Sequence, residues 1–331
     1  MPQVATGGNP KGAQTSSPGR RWRPARAWHP KVPGVPGATS GRRGVKIASG
    51  IPWIMPALVL CVGLVYYCIG YTGLISTWSW DGISPNPEHV GAGNYSAIVH
   101  DPLFWGAVWH TLIFFAVTFT IQTFLGLLFA VLLHSKVKLA GIYKVVIFTP
   151  VVLAPAIMAP VFREMFSPTG QLNSVLHAIG LGVLEQPWIG QTSTALPAIM
   201  AITIWEFTGF TFVLYYAALS QIDNAIIEAA RLDGAGNLRV ITRIVWPNVA
   251  GTTFALATLG LIGALKTFDI PWLVTSAGPD YATNFLGTYI YQQIIQLDHV
   301  GYGAALSVIL LVIAVIFGVV LQLWRNRRAD H

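Results

Sequence analysis

Glu228 and Asp233, with the small residues Ala229, Ala230, Gly234 and Ala235 set among them, form the most strongly patterned cluster in the chain. Their chemistry suits docking rather than bond-making. Asp223 or Asn224 can cap a short helix by accepting from a first-turn N–H, and Glu228 near its start complements the positive end of the helix dipole. Ala229 and Ala230 leave a smooth face that a partner surface can approach closely. Gly234 suits the left-handed residue that ends a helix. Pro247 suits the first turn of the next one, where no N–H is needed. Set between long apolar segments, this polar loop reads as a seat for a partner protein; its composition alone also fits an ordinary amphipathic interfacial helix.

A second set lies inside apolar sequence. A charged residue within a span is expensive and is a functional candidate by default, and Glu206, beside Trp205, is one. Lys266 and Asp269, three apart on what reads as one helix, either pair with each other or face a substrate. With Thr208 and Tyr215 they supply the hydrogen-bonding groups and aromatic faces that a polyhydroxylated ligand requires. Catalytic sets are not evident. The chain has no G-x-x-x-x-G-K-[ST] phosphate loop, so no nucleotide is expected on it. Its histidines never fall at i, i+4 around a carboxylate, so no metal site is expected either.

The elements that must position these residues follow from composition. Hydrophobic residues make up 53% of the chain and charged residues only 10%, so the solvent for most of it is lipid. Recurrent charge-free windows reach the roughly 20 residues a membrane helix needs, and none shows the alternation of a barrel strand. The expectation is an all-α membrane protein with six transmembrane helices, at about 50–72, 106–133, 142–163, 195–220, 248–273 and 303–324. Loops 73–105, 166–194 and 276–302 hold no Lys or Arg, whereas residues 1–46, the loops after spans two and four, and the C-terminal tail are basic. Both termini are therefore placed in the cytoplasm. That topology, with attraction to anionic lipid, accounts for the net charge of +7 without nucleic acid. Residues 1–46 read as a disordered basic tail, 47–325 as the six-span domain with its loop at 221–247, and 326–331 as a short second tail. Cys61 and Cys68, seven apart on span one, lie too far apart for a disulfide and read as buried thiols.

The loop also carries a resemblance. Written as E-A-A, three residues, G, nine residues, I-x-L-P, the signature of ABC importer permeases is matched by Glu228-Ala229-Ala230, Gly234, Ile244 and Pro247, with Trp246 in place of leucine. Asp233-Gly234-Ala235 further resembles the maltose-type carbohydrate branch. Phe268-Asp269, Leu273-Val274-Thr275, Gly278-Pro279 and Ala282-Thr283 resemble that family's FD…T-x-GGP…T pattern, with Ala277 where glycine is common. Asn94-Tyr95, Phe104-Trp105, Tyr289-Ile290-Tyr291 and Gly301-Tyr302-Gly303 continue it. The resemblance implies a multi-pass permease subunit of a bacterial inner membrane, not itself an enzyme. Its loop would be a coupling helix seated on a homodimeric ABC ATPase through Glu228, Ala229, Ala230, Asp233, Gly234, Ala235 and Pro247. The same resemblance implies a second permease subunit and an extracytoplasmic substrate-binding protein. ATP and Mg would be held by the ATPase, and the substrate would be a di- or oligosaccharide. A glycerol-phosphate permease and an ion-coupled secondary sugar transporter are the alternatives.

Overall fold

The computed structural model describes residues 51–134 and 137–329, so the expected basic tail 1–46 lies outside the described residues. Packing divides the chain at Pro56. Residues 51–56 are helical, and the second unit, Ala57–His331, carries the features below. Among the described residues the architecture is helical apart from two short strands, Trp78–Ser79 and Glu88–His89, paired antiparallel with Trp78 opposite His89. Among the described residues four helices are long and apolar enough to span a bilayer: α1 (Trp53–Ile75), α3 (Pro102–His134), α7 (Thr192–Leu219) and the Val300–Trp324 part of α13 (Val300–Ala329). A short helix α2 (Gly93–Val99) leads into α3.

The other two expected spans are bent pairs rather than continuous rods. The segment expected at 142–163 is α4 (Ala140–Val152) followed at 96° by α5 (Pro155–Met165). Pro155 opens α5, and Leu153 and Ala154 ahead of it are extended, as expected where a proline ring crowds the preceding residue. A short helix, α6 (Gln171–Ala178), follows. Beyond α8 (Asn224–Leu232), the fifth segment is α9 (Asn237–Asn248) joined at 64° to α10 (Ala250–Leu265). Pro247 thus sits inside a helix already under way from Asn237, not at the start of one. Because it offers no N–H to the Arg243 carbonyl, the helix widens into a π turn over Ile241–Val245 and bends at Val249.

The span expected to run to residue 273 stops at Leu265. Phe268 leaves helical geometry at φ −142° and ψ −52°, and a separate helix, α11 (Asp269–Thr275), begins. Pro271 explains the break: it has no N–H for the Thr267 carbonyl, which instead lies so close to Gly287 that an added Cβ there would sit 2.7 Å away. The chain continues through α12 (Leu286–Tyr291) into α13.

Helices α3 and α7 make the most extensive contact in the bundle. At Gly126 an added Cβ would lie 2.6 Å from Thr211 Cγ2, and at Gly209 it would collide with the Ile147 carbonyl. Glycine at these two points lets α7 press backbone to backbone against α3 and α4. Three apolar clusters follow along the bundle. One centres on Phe114, Met158, Ile199, Ile202 and Phe285, a second on Ile98, Phe104, Leu286 and Leu306, and a third on Phe212, Tyr215, Val245 and Val249. Much of α1 is exposed, and Cys61 and Cys68 are exposed free thiols, not the buried ones expected. A lipid-facing helix tolerates small apolar side chains on its outside as readily as a soluble core does inside.

Several motif residues beyond the loop act as struts. Asn94 donates to the carbonyls of Ser76 and Trp78, each at 2.9 Å, and the Tyr95 hydroxyl meets Ser76 Oγ at 2.6 Å. Asp101 accepts from the Leu103 N–H at 2.9 Å, from the Tyr302 hydroxyl at 2.8 Å and from the Tyr289 hydroxyl, tying the start of α3 to α12 and α13. Burial and the Asp101 contact hold the Tyr289 phenol far above its ordinary range. Thr275 and Thr283 share a 2.6 Å hydrogen bond, and Thr283 donates to the Gly278 carbonyl at 2.8 Å, closing the loop after α11. Within that loop Ala277 adopts φ +66°, the region where glycine is unstrained.

Candidate functional site

At one end of the bundle, α8 stands on the third cluster and presents its other side outward. Asp223 caps it, its Oδ1 accepting from the Ala225 N–H at 2.9 Å. Gly234, at φ +82°, closes it with a paired arrangement: the Ala235 N–H donates to the Ala230 carbonyl at 2.9 Å and the Gly234 N–H to the Arg231 carbonyl at 3.0 Å. Ile222, Ile227, Ala235 and Ile244 pack down against Tyr215, Leu219, Val245 and Val249. Glu228, Ala229, Asp233 and Gly234 are exposed, Ala230 and Ala235 are half-buried, and Pro247 is exposed at the bend of α9–α10. Apolar side chains surround the polar ones on this outer face, with Leu232 89% and Leu238 76% exposed. The helix is fixed from below and exposed above.

The second set converges only in part. A cavity of about 380 Å³ opens between α3, α7, α10 and the break before α11, lined by Glu206, Lys266 and Asp269 together with Gln122, Thr203 and a wall of phenylalanines. Glu206 is 4% exposed, and its Oε2 is closed off and accepts no hydrogen bond. Lys266 and Asp269 are exposed. Of the two readings left open by the sequence, the helical Lys266–Asp269 ion pair does not form, because the helix ends between the two residues. The ion pair found among the described residues is His177 with Glu185 at 2.9 Å. Gln122, which donates to the Thr203 carbonyl at 2.9 Å, is one of the polar cavity groups that sequence reasoning passed over, with Thr118, Thr123, Thr203, Thr211 and Thr267. It is the one side-chain amide in α3 and sits between Thr120 and Thr123, a polar knot in an apolar run.

Trp205, Thr208 and Tyr215 do not line this cavity. The Trp205 ring meets Phe162 edge-on at 5.3 Å, Thr208 donates to the Ile204 carbonyl at 2.5 Å, and buried Tyr215 bonds the Thr253 hydroxyl at 2.9 Å.

Residues 122–330 match the family described as "Binding-protein-dependent transport system inner membrane component", and the chain belongs to that family. It is a multi-pass inner-membrane protein, an ABC transporter permease. Among curated relatives it is 31% identical over 264 residues to the "Probable ABC transporter permease protein YurN" of Bacillus subtilis (strain 168), covering 79% of this chain and 90% of that one. It is 29% identical over 289 residues to the "Lactose transport system permease protein LacF" of Rhizobium radiobacter, covering 84% and 96%. Among solved structures, a bacterial ABC transporter "involved in the import of the acidic polysaccharide alginate" shares its fold with a TM-score of 0.71 at 21% identity, over 85% of this chain and 98% of that one.

Proposed function

We propose that this chain is one permease half of an ATP-driven sugar importer, with α8 as its coupling helix and the Glu206 cavity as part of the sugar path. The observation that carries the reading is the loop at 221–247. Its anchored underside and bare Glu228, Ala229, Asp233 and Gly234 combine a rigid base with a smooth contact surface. Through Glu228, Ala229, Ala230, Asp233, Gly234, Ala235 and Pro247 it seats on a homodimeric ATPase, which holds ATP and Mg. A second, homologous permease completes the path, and an extracytoplasmic binding protein delivers the substrate.

In this reading the bent pairs each count as one span, giving six with both termini inside, because Lys and Arg concentrate in the N-terminal sequence, the loops after spans two and four and the C-terminal tail, while the other loops hold none. Residues 1–46 and 326–331 are tails, and 47–325 the permease domain. A lactose permease among the relatives, with others named for multiple sugars and arabinooligosaccharides, favours a di- or oligosaccharide over glycerol phosphate. Of the expected path residues, Glu206, Lys266 and Asp269 keep that role. Trp205, exposed at 45%, is assigned to the seam with the second permease, and Thr208 and Tyr215 to packing.

The test is co-purification of the chain with its partner subunits, comparing wild type with Glu228→Ala and Gly234→Asp, with ATPase activity and labelled-sugar uptake read together. Both variants should lose uptake at least about tenfold, the scale expected when a charged interface contact is removed, while chain abundance stays constant. Sugar movement by the purified chain down an ion gradient, with no ATPase attached, would replace this reading with secondary transport.

A further inference from the structure

We infer that an acidic cleft beside the 78–89 hairpin is a socket for a basic segment of the extracytoplasmic binding protein, drawn in by charge. The inference rests on the reading of this chain as a binding-protein-dependent importer subunit, and it names the surface and chemistry of that contact. The cleft, of about 750 Å³, lies between the hairpin, the start of α3 and the turn from α12 into α13. Asp81, Glu88, Asp101 and Asp298 line it, and His299 is the one basic group among its lining residues. Loops 73–105, 166–194 and 276–302 hold no Lys or Arg, so the matching cation must come from another molecule.

Asp101 is engaged by Leu103, Tyr289 and Tyr302, and Asp81 by Ser84 and Ile83. Those bonds hold Asp81 down at about 2, so its charge is fixed at neutral pH. Glu88 and Asp298 are exposed, and neither side chain makes a hydrogen bond or ion pair among the described residues. No three acidic or histidine groups there come close enough to hold one metal ion. The charge is spread along the cleft, which suits a row of Lys or Arg side chains rather than a single ion. Gln293 supplies an independent sign of a guest. It lines the cleft at 8% exposed, and its Oε1 meets His299 Nδ1 at 3.0 Å. Its Nε2 is not closed off and has no acceptor among the described residues. A peptide carbonyl can accept that hydrogen bond while Lys or Arg side chains meet the carboxylates. An uncharged sugar would leave the carboxylates unmatched, whereas protein interfaces set positive against negative.

The test uses the full complex of this chain, its partner permease and its ATPase in nanodiscs, with the purified binding protein as probe. Association is followed by surface plasmon resonance at about 50 mM and about 500 mM salt, between which the screening length shrinks about threefold. Glu88→Gln combined with Asp298→Asn removes two charges at no cost to the fold, since asparagine accepts the φ +55° of Asp298. At low salt this variant should associate about 3- to 10-fold more slowly than wild type, and at high salt the two should converge. Glu185→Gln combined with Asp280→Asn removes two charges outside the cleft, and should slow association by less than about twofold. Wild-type rates for the cleft variant at low salt would overturn the socket, as would a loss that persists at high salt or an equal loss in the control variant. If the binding protein does not dock on the wild-type complex although the complete system imports sugar, delivery by that protein fails, and the socket falls with it.

Discussion

Gly234 offers the sharpest test of the seat, because its substitution isolates one cost. The residue holds φ +82°, and an added Cβ would meet nothing within 4 Å. Gly234→Ala therefore introduces no clash, only the penalty of placing an L-residue in the left-handed region, about 1–2 kcal/mol. That penalty falls on the two hydrogen bonds that end α8, from the N–H groups of Ala235 and Gly234 to the carbonyls of Ala230 and Arg231. If the ATPase recognises the closed helix, the penalty appears as weaker docking, about 5- to 30-fold in dissociation constant. Gly236, two residues on, is the control: it holds φ −69° and also has open space at its Cβ. Gly236→Ala trades a lost helix-start preference against reduced unfolded-state freedom, two opposing effects of up to about 1 kcal/mol each, and should dock nearly as wild type. Titration of the copurifying ATPase onto each variant in nanodiscs reads the difference. Equal affinities for Gly234→Ala and Gly236→Ala would refute the reasoning, since the seat would then be indifferent to how α8 ends.

Three further outcomes follow from the packing and the loops. Gly209→Ala should destabilise the detergent-solubilised chain by about 1–3 kcal/mol, since its Cβ would collide with the Ile147 carbonyl; Gly106→Ala, with nothing within 4 Å, should leave the melting temperature in place. Asp101→Asn removes the charged acceptor shared by Tyr289 and Tyr302, and a melting shift equivalent to about 1.5–3 kcal/mol is expected; an unchanged melt would show that the link between α3, α12 and α13 carries no stability. Hydrogen bonds from the Ser84 hydroxyl and from the N–H groups of Ser84 and Ile83 hold Asp81 down at about 2. A depressed carboxyl adds its stabilisation above the ordinary carboxylate range and loses it only as pH falls through the folded value. Pepsin should therefore spare the loop around Asp81 in the wild type at pH 4 and cut it near pH 2, whereas Asp81→Ala is cut at both; equal cutting of the two proteins at pH 4 would contradict the assignment.

The loop at 221–247 was legible because its signals are local. A cap and a left-handed glycine each act within a few residues, and Asp223 and Gly234 sit where those rules put them, whereas Glu228 falls beyond the first turn of α8, past the reach of the helix dipole. The cavity was less legible because its residues come from different helices, yet helical geometry already held part of the answer. Each residue turns the helix by about 100°, which sets Trp205 about 200° round from Thr203 and so off the arc shared by Thr203, Glu206 and Phe207, and puts Tyr215, nine residues beyond Glu206, on the opposite side. Thr203, Glu206, Phe207 and Phe210, at i, i+3, i+4 and i+7, share one face, and these four line the cavity. The end of the fifth span was hidden for a different reason. Hydrophobicity continues through Leu273, so composition extends the helix, while the proline that breaks it acts four residues upstream of itself, at the Thr267 carbonyl. That break frees Lys266 and Asp269 from a shared helix and leaves both on the cavity wall. A pair that would have neutralised itself along a helix is thereby split across its end, and unwound backbone within a bundle is sustainable where it borders such a cavity.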